Sequence, residues 1–199
     1  MNPPTPADVL NTWFGVDDAE AIVTPQMERW FRTDPDFDAM LRERFAEAVV
    51  AGIRGGFADW EQTPSGALAL VVMLDQFSRN MHRGSALSFA ADPAALAAAE
   101  RALARGFDRQ IPWLARSFLY LPFEHAESLP HQERAVALFR ALAAEAPEAF
   151  QSLGASFVDY AEKHHAVIAR FGRFPHRNAD LGRTSTPEEI AFLQSGRGF

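Results

Sequence analysis

The sequence contains no cysteine among its 199 residues. Disulfides, thiolate zinc sites, iron–sulfur clusters and cysteine nucleophiles are therefore excluded. Long apolar runs are also missing, because the longest, residues 67–74, is far shorter than the ~20 residues that cross a bilayer. The N-terminus carries no basic stretch followed by an apolar core, as a signal peptide would. We expect a soluble, cytoplasmic protein without a membrane partner.

Positive charge is scarce, and lysine is nearly absent, since Lys163 is the single one. The net charge of −7 disfavours general nucleic-acid binding, which depends on neutralising phosphates. The usual catalytic signatures are missing as well: Gly-X-Ser-X-Gly, the Walker phosphate loop, the glycine-rich dinucleotide fingerprint and His-Glu-X-X-His. We therefore assign no nucleic-acid partner, no cofactor and no metal, and the sequence alone does not identify a reaction.

Helix signals are plentiful. Pairs of a capping residue and proline, which typically begin helices, recur along the chain. We take four of them as helix starts: Asp34-Pro35, Thr63-Pro64, Asp92-Pro93 and Thr186-Pro187. We predict helices near 6–14, 25–32, 35–51, 64–82, 93–105, 112–127, 131–145, 149–171 and 187–194. Strand signals are weak, and no linker divides the chain. The sequence predicts one all-α domain over residues 1–199, built from antiparallel helical hairpins. Its most apolar helix, 64–82, should lie in the middle.

A first polar cluster, residues 75–80, interrupts the apolar helix near its end. Asp75 and Arg79 are four residues apart, so they share a helix face and can pair. Because this helix should be buried, its charges must be paired or must line a cavity. We favour a structural ion pair that fixes neighbouring helices, with a functional site as the alternative.

A second cluster spans residues 121–127. Glu124 and Glu127 are three residues apart and should point the same way on a helix. With His125 they could bind a metal, but adjacent Glu124 and His125 diverge by about a hundred degrees, so the motif is weak. A structural or substrate-binding role is the better interpretation.

A third cluster combines histidines on a late helix, among them His165, with a bent segment, residues 170–178, that is rich in arginine. Arginine binds carboxylates and phosphates through two parallel hydrogen bonds. These arginines either pair with internal acids, for which Asp75, Glu124 and Glu127 are candidates, or wait for an external anion. Phe171 and Phe174 suggest that the segment folds back onto the core.

These clusters resemble the characteristic segments of a bacterial family known as domain of unknown function 924. The resemblance rests on residues 75–80, 121–125 and 170–178, and it extends to 8–15, 29–31 and 182–189, so it covers nearly the whole chain. Ser78 stands where the family usually has proline. The resemblance implies a helical fold similar to tetratricopeptide-repeat proteins. It implies no activity, because the family is uncharacterised.

Three hypotheses for function follow, and a binding module ranks first. Its pocket would bind an anionic small molecule or peptide through polar side chains of the first and third clusters. These side chains are Arg79, Asn80, Arg170, Arg173, His176, Arg177 and Asn178.

The second hypothesis is an enzyme of hydrolase type. Glu124 or Asp75 would act as a general base and His125, His165 or His176 as an acid, provided that they converge on one pocket. The third hypothesis is a structural protein whose polar clusters are buried clamps, so that removing the Glu124 carboxylate would cost several kcal/mol of stability.

Overall fold

The computed structural model describes residues 3–196, apart from the Phe31 side chain, and this range is helical without any strand. The all-α prediction is confirmed. Residues 1–2 and 197–199 of the predicted domain lie outside the described residues. The α-helices are α1 (Pro6–Phe14), α2 (Met27–Phe31), α3 (Pro35–Ile53), α4 (Pro64–Val72), α5 (Ser78–Met81), α6 (Asp92–Ala104), α7 (Trp113–His125), α8 (Leu129–Ala144), α9 (Gln151–Phe171) and α10 (Pro187–Gln194).

Side-chain caps begin the helices much as the capping pairs predict. Asp34, Thr63 and Thr186 each accept a backbone N–H from the first turn that follows. Thr186 and Glu189 form a reciprocal capping box. Thr5 and Asp8, which were not among the predicted caps, form another at α1. The cap predicted at Asp92 is wrong: this residue already lies inside α6, and its carboxylate bonds to arginines instead.

One long helix occupies the centre of the fold. It begins as α4, passes through a π-helical segment at Met73–Phe77 and ends as α5. Nearly all of its side chains are buried, and it packs against α1, α3, α6 and α7. The apolar sequence of this helix predicted its central place, but not the π-helical turn. Segments of this kind are rare and often occur at functional sites.

The second half of the chain packs as hairpins, with α8 lying against both α7 and α9. Aromatic residues from these helices and from α1 fill one large core, which includes Trp13, Phe118 and Phe139. A small second cluster joins the end of α9 to Phe174 in the segment beyond it. Gly172 allows the chain to turn there, since its φ of 68° is left-handed and suits glycine.

None of the helices in the described part of the chain has the length and apolar character needed to cross a membrane. The likeness to tetratricopeptide-repeat proteins stays a prediction.

Candidate functional site

A cavity of about 500 Å³ lies between α2, the central helix, α7, α8 and α9. This volume is typical of small-molecule sites. One part of the wall is apolar and mostly aromatic: Met27, Trp30, Phe118, Leu121, Phe139, Phe157 and Tyr160. The other part is polar: Gln76, Arg79, Asn80, Arg83, Ser117, Glu124, His125, Ser156 and His164. The first two polar clusters of the sequence therefore meet at one cavity.

The π-helical segment holds Asp75 directly behind His125. His125, the last residue of α7, donates from Nδ1 to Asp75 Oδ1 over 2.7 Å. Gln76 donates to the other carboxylate oxygen over 2.5 Å, and the Asp75 side chain is only 1% exposed. Because the ionised carboxylate accepts a hydrogen bond from Nδ1–H, the proton of the neutral ring stays on Nδ1 and the Nε2 atom of His125 carries the lone pair.

The charges of this pair follow from their surroundings. Burial raises the pKa of Asp75, but the positive charge of Arg79 and the hydrogen bonds from His125 and Gln76 outweigh it, so the pKa lies below its ordinary value. Burial and the Arg79 charge lower the pKa of His125 despite the pull of Asp75. Asp75 is therefore ionised and His125 neutral near pH 7.

Ionic contacts and one hydrogen bond to a backbone carbonyl connect Asp75 and His125 in a closed ring. Arg79 lies 3.5 Å from Asp75 and 2.8 Å from Asp92. Asp92 also accepts from Arg177 over 3.1 Å, and Arg177 donates over 2.9 Å to the backbone carbonyl of His125. The ring joins the central helix, α6, α7 and the segment after α9. It confirms the pairing of Asp75 with Arg79.

Glu124, 4% exposed, has no arginine partner among the described residues. Its Oε1 lies 3.2 Å from Nδ1 of His164, which also bonds to the Tyr160 carbonyl over 2.9 Å. Burial, and to a lesser extent the Asp75 charge, raises the pKa of Glu124 to about 8. Burial lowers the pKa of His164 to about 3. A protonated carboxyl and a neutral imidazole therefore face each other near pH 7. We call Asp75, Glu124, His125 and His164 the cavity cluster.

His164, rather than its neighbour His165, lies at the cavity. His165 was the histidine predicted from the sequence. The buried residues Ala161 and Ile168 of α9, however, lie on the same helix face as residue 164. That spacing is the signal that could have identified His164. His165 lies outside the residues that line the cavity.

The candidates of the third cluster lie mostly away from the cavity. Arg173 donates to Glu189 from two nitrogens, over 2.7 and 2.9 Å, and Asn178 donates to the same carboxylate over 3.2 Å. Together with Thr186, whose backbone N–H also donates to Glu189, these residues form what we call the C-terminal clasp, which holds α10. For Arg173, internal pairing, one of the two interpretations of these arginines, is observed, although its acid is Glu189.

Other candidates occupy separate places. Arg170 contacts Glu188 on the surface at 3.4 Å, and His176 packs beside Phe174. The prediction that Glu124 and Glu127 point the same way is wrong, because α7 ends at His125. Glu127 instead accepts from Arg183 and from the backbone N–H of Phe174.

A family model described as a bacterial protein of unknown function, DUF924, matches residues 9–197. A solved structure of a protein of unknown function, ATU0120 from Agrobacterium tumefaciens, is similar, with a TM-score of 0.80 and 38% identity over 96% of this chain and 97% of that one. No curated protein matches. The resemblance seen in the three polar clusters is thus confirmed, and the chain belongs to the DUF924 family of bacterial proteins of unknown function.

Proposed function

We propose that this protein is an acid–base enzyme of hydrolase type that acts on a small molecule held in the cavity. His125, oriented by Asp75, is the general base, and Glu124 is the general acid. One observation carries the proposal: the hydrogen bond between His125 and Asp75 lies at the wall of a cavity that Glu124 also lines.

The base has the properties that proton abstraction requires. A buried carboxylate fixes the tautomer of His125, and the neutral ring keeps a lone pair on Nε2. The same relation between aspartate and histidine activates nucleophiles in many hydrolases. The hydroxyls of Ser117 and Ser156 donate to carbonyls of their own helices, so water is the nucleophile that His125 would activate.

The acid is suited to the opposite transfer. A pKa of about 8 keeps a proton on Glu124 near neutral pH, where an efficient acid titrates. The ring centroids of His125 and His164 are 6.3 Å apart, so the base and the pair of Glu124 with His164 are neighbours. Two titrating groups with opposite protonation states at one cavity are typical of acid–base catalysis.

A module that binds anions, the first hypothesis from the sequence, has less support from the charges. Arg79 is shared between Asp75 and Asp92, and Arg83 pairs with Asp38 over 2.8 Å. An incoming anion would compete with these carboxylates and would approach Glu124. The geometry favours a site for proton transfer over a site for a free anion.

Turnover of a broad panel of small esters, amides, lactones, phosphate esters and glycosides tests the proposal, with mass spectrometry as the readout. We expect His125→Gln to lower the rate for any accepted compound roughly 10²- to 10⁴-fold, the usual contribution of a positioned base. His131→Gln is the matched control, because His131 bonds to Ser128 outside the cavity. Turnover that survives His125→Gln would contradict the proposal. Stabilisation by anions without any turnover would favour the binding module.

A further inference from the structure

Two side-chain donors of residues that line the cavity have no hydrogen-bond acceptor within residues 3–196. They are Nδ2 of Asn80 and Nε of Arg79, on consecutive residues of α5. Asn80 is only 6% exposed, and a half-turn of its amide can present the N–H groups to the cavity. Buried donors nearly always have a partner. An acceptor oxygen from a ligand would supply it.

The charges around the cavity indicate whether this acceptor oxygen belongs to a charged or to an uncharged group. Arg79 and Arg83, which line the cavity, are already paired with aspartates. A phosphate group would enter with a full negative charge that no cation at the cavity is free to balance. An uncharged carbonyl enters without that penalty and gains negative charge only when it is attacked.

The rest of the cavity indicates the body of the substrate. Trp30, Phe118, Phe139 and Phe157 line the cavity as two pairs of contacting rings, with centroids 4.9 Å apart for Trp30 and Phe118 and 5.9 Å apart for Phe139 and Phe157. Trp30 is anchored there, because its Nε1 donates to the Trp13 carbonyl over 3.1 Å. Such a wall suits an aryl or branched apolar group of a small molecule.

We propose that the substrate is a carboxylic ester or amide with an apolar, preferably aryl, group, and that Asn80 donates a hydrogen bond to its carbonyl oxygen during attack. The proposal rests on the acid–base function above. It adds the substrate class and one further residue, Asn80, that touches the reacting atoms.

The atoms balance as in ordinary hydrolysis. His125 Nε2 takes a proton from water while the water oxygen bonds to the carbonyl carbon, and the carbonyl oxygen becomes an oxyanion that accepts a hydrogen bond from Asn80. Glu124 gives its proton to the leaving oxygen or nitrogen as the bond from carbon to that atom breaks. A carboxylic acid and an alcohol or amine leave, and the proton on His125 returns to Glu124 through water.

The hydrate of 2,2,2-trifluoroacetophenone tests the oxyanion site without turnover, since it carries an aryl group and a tetrahedral carbon with two oxygens. We expect fluorine NMR to detect binding to the wild type. Asn80→Leu should weaken that binding at least about tenfold, the loss expected for one good hydrogen bond. Asn80→Asp, which keeps the shape but lacks the donor, should weaken it as well. Asn11→Leu, on the surface of α1, is the control.

Phenyl butyrate, N-phenylbutanamide and phenyl phosphate test the substrate class. We expect hydrolysis of the ester or amide but not of the phosphate, loss of this activity in His125→Gln, and a kcat roughly 10²- to 10³-fold lower in Asn80→Leu with little change in KM. Carbonyl hydrolysis that Asn80→Leu leaves intact, or phosphate hydrolysis that depends on His125, would overturn this inference while the acid–base function stands. No turnover of the three and no binding of the hydrate would overturn it too, and the broad panel would then decide the function.

Discussion

Two buried glutamates of this protein have opposite surroundings. Glu189, 2% exposed, is covered by its partners in the C-terminal clasp. Hydrogen bonds from Arg173 and Thr186 outweigh the effect of burial and lower the pKa of Glu189 to about 2. Glu124, 4% exposed, faces neutral His164, and burial raises its pKa to about 8. The same side chain therefore fastens a helix in one region and stores a proton in the other. The difference lies in the charge of the neighbours rather than in exposure.

Arg177 precedes Asn178 of the C-terminal clasp in the chain and donates to the His125 carbonyl at the cavity, so its removal should have the largest effect. Arg177→Met would leave Asp92 short of one cation in a buried ring and free the His125 carbonyl. We expect a loss of about 3–5 kcal/mol in the free energy of unfolding, as is usual when one partner of a buried pair is removed. Urea denaturation measures it. A loss below 1 kcal/mol, an exposed-pair value, would show that the ring does not hold the segment after α9.

Glu124→Gln should affect stability in the opposite direction, with a dependence on pH. Folded Glu124 keeps its proton up to about pH 8, whereas the side chain in the unfolded protein releases it near its ordinary pKa of 4.5. The wild type therefore loses stability as the pH rises through that window, and the variant does not. We expect the variant to be equal near pH 4.5 and more stable by about 2–4 kcal/mol at pH 8. Melting curves across this range measure the difference, and a variant that is less stable at every pH would support the structural clamp instead.

Glu189→Gln is the counterpart in the clasp. Folded Glu189 ionises near pH 2 and the unfolded side chain near 4.5, so its stabilisation is present above pH 4.5 and disappears as the pH falls towards 2. At pH 7 we expect the variant to lose about 1–2 kcal/mol, a value reduced by the nearby solvent. Chemical denaturation at pH 7 and pH 3 checks this. An undiminished difference at pH 3 would contradict the account of the clasp.

Two buried asparagines give the smallest and most closely matched comparison. Asn178 donates to Ser185 over 3.0 Å and to Glu189, whereas Nδ2 of Asn80 has no acceptor in the described chain. We expect Asn178→Leu to lower stability by about 1–2 kcal/mol and Asn80→Leu to leave it unchanged or raise it. Differential scanning calorimetry measures both variants. Equal losses would mean that Asn80 belongs to the fold and not to a ligand site.

The sequence predicted most of the fold because its signals are local. Caps before prolines began helices at Asp34, Thr63 and Thr186, and the uniformly apolar stretch from residue 64 became the central helix. The cap predicted at Asp92 was wrong because the Asp92 carboxylate bonds to Arg177, which is 85 residues away in the chain. No local pattern contains a contact of that separation.

The candidate site was predicted in part. Asp75, Arg79, Glu124 and His125 were chosen from polar residues on apolar helices, and the fold brings them together. Which arginine pairs with which acid depends on tertiary packing. The sequence therefore could not show which polar residues belong to the C-terminal clasp and which line the cavity. The choice of His165 followed residue type rather than helix face, which a closer use of periodicity could have corrected.

The π-helical segment at Met73–Phe77 also bears on how readily this fold could lose its site while keeping its shape. A π turn holds about one residue more than an α turn, so the helix on either side of it is out of α-helical register by about 100°. Deletion of a single residue there would let α4 and α5 join as a regular helix. Such a shortened chain could still bury its apolar residues, yet Asp75 would turn away from His125. A deletion of one residue in this segment would then distinguish family members that keep the contact between Asp75 and His125 from members that keep only the helical fold. Substitutions alone would not reveal this difference.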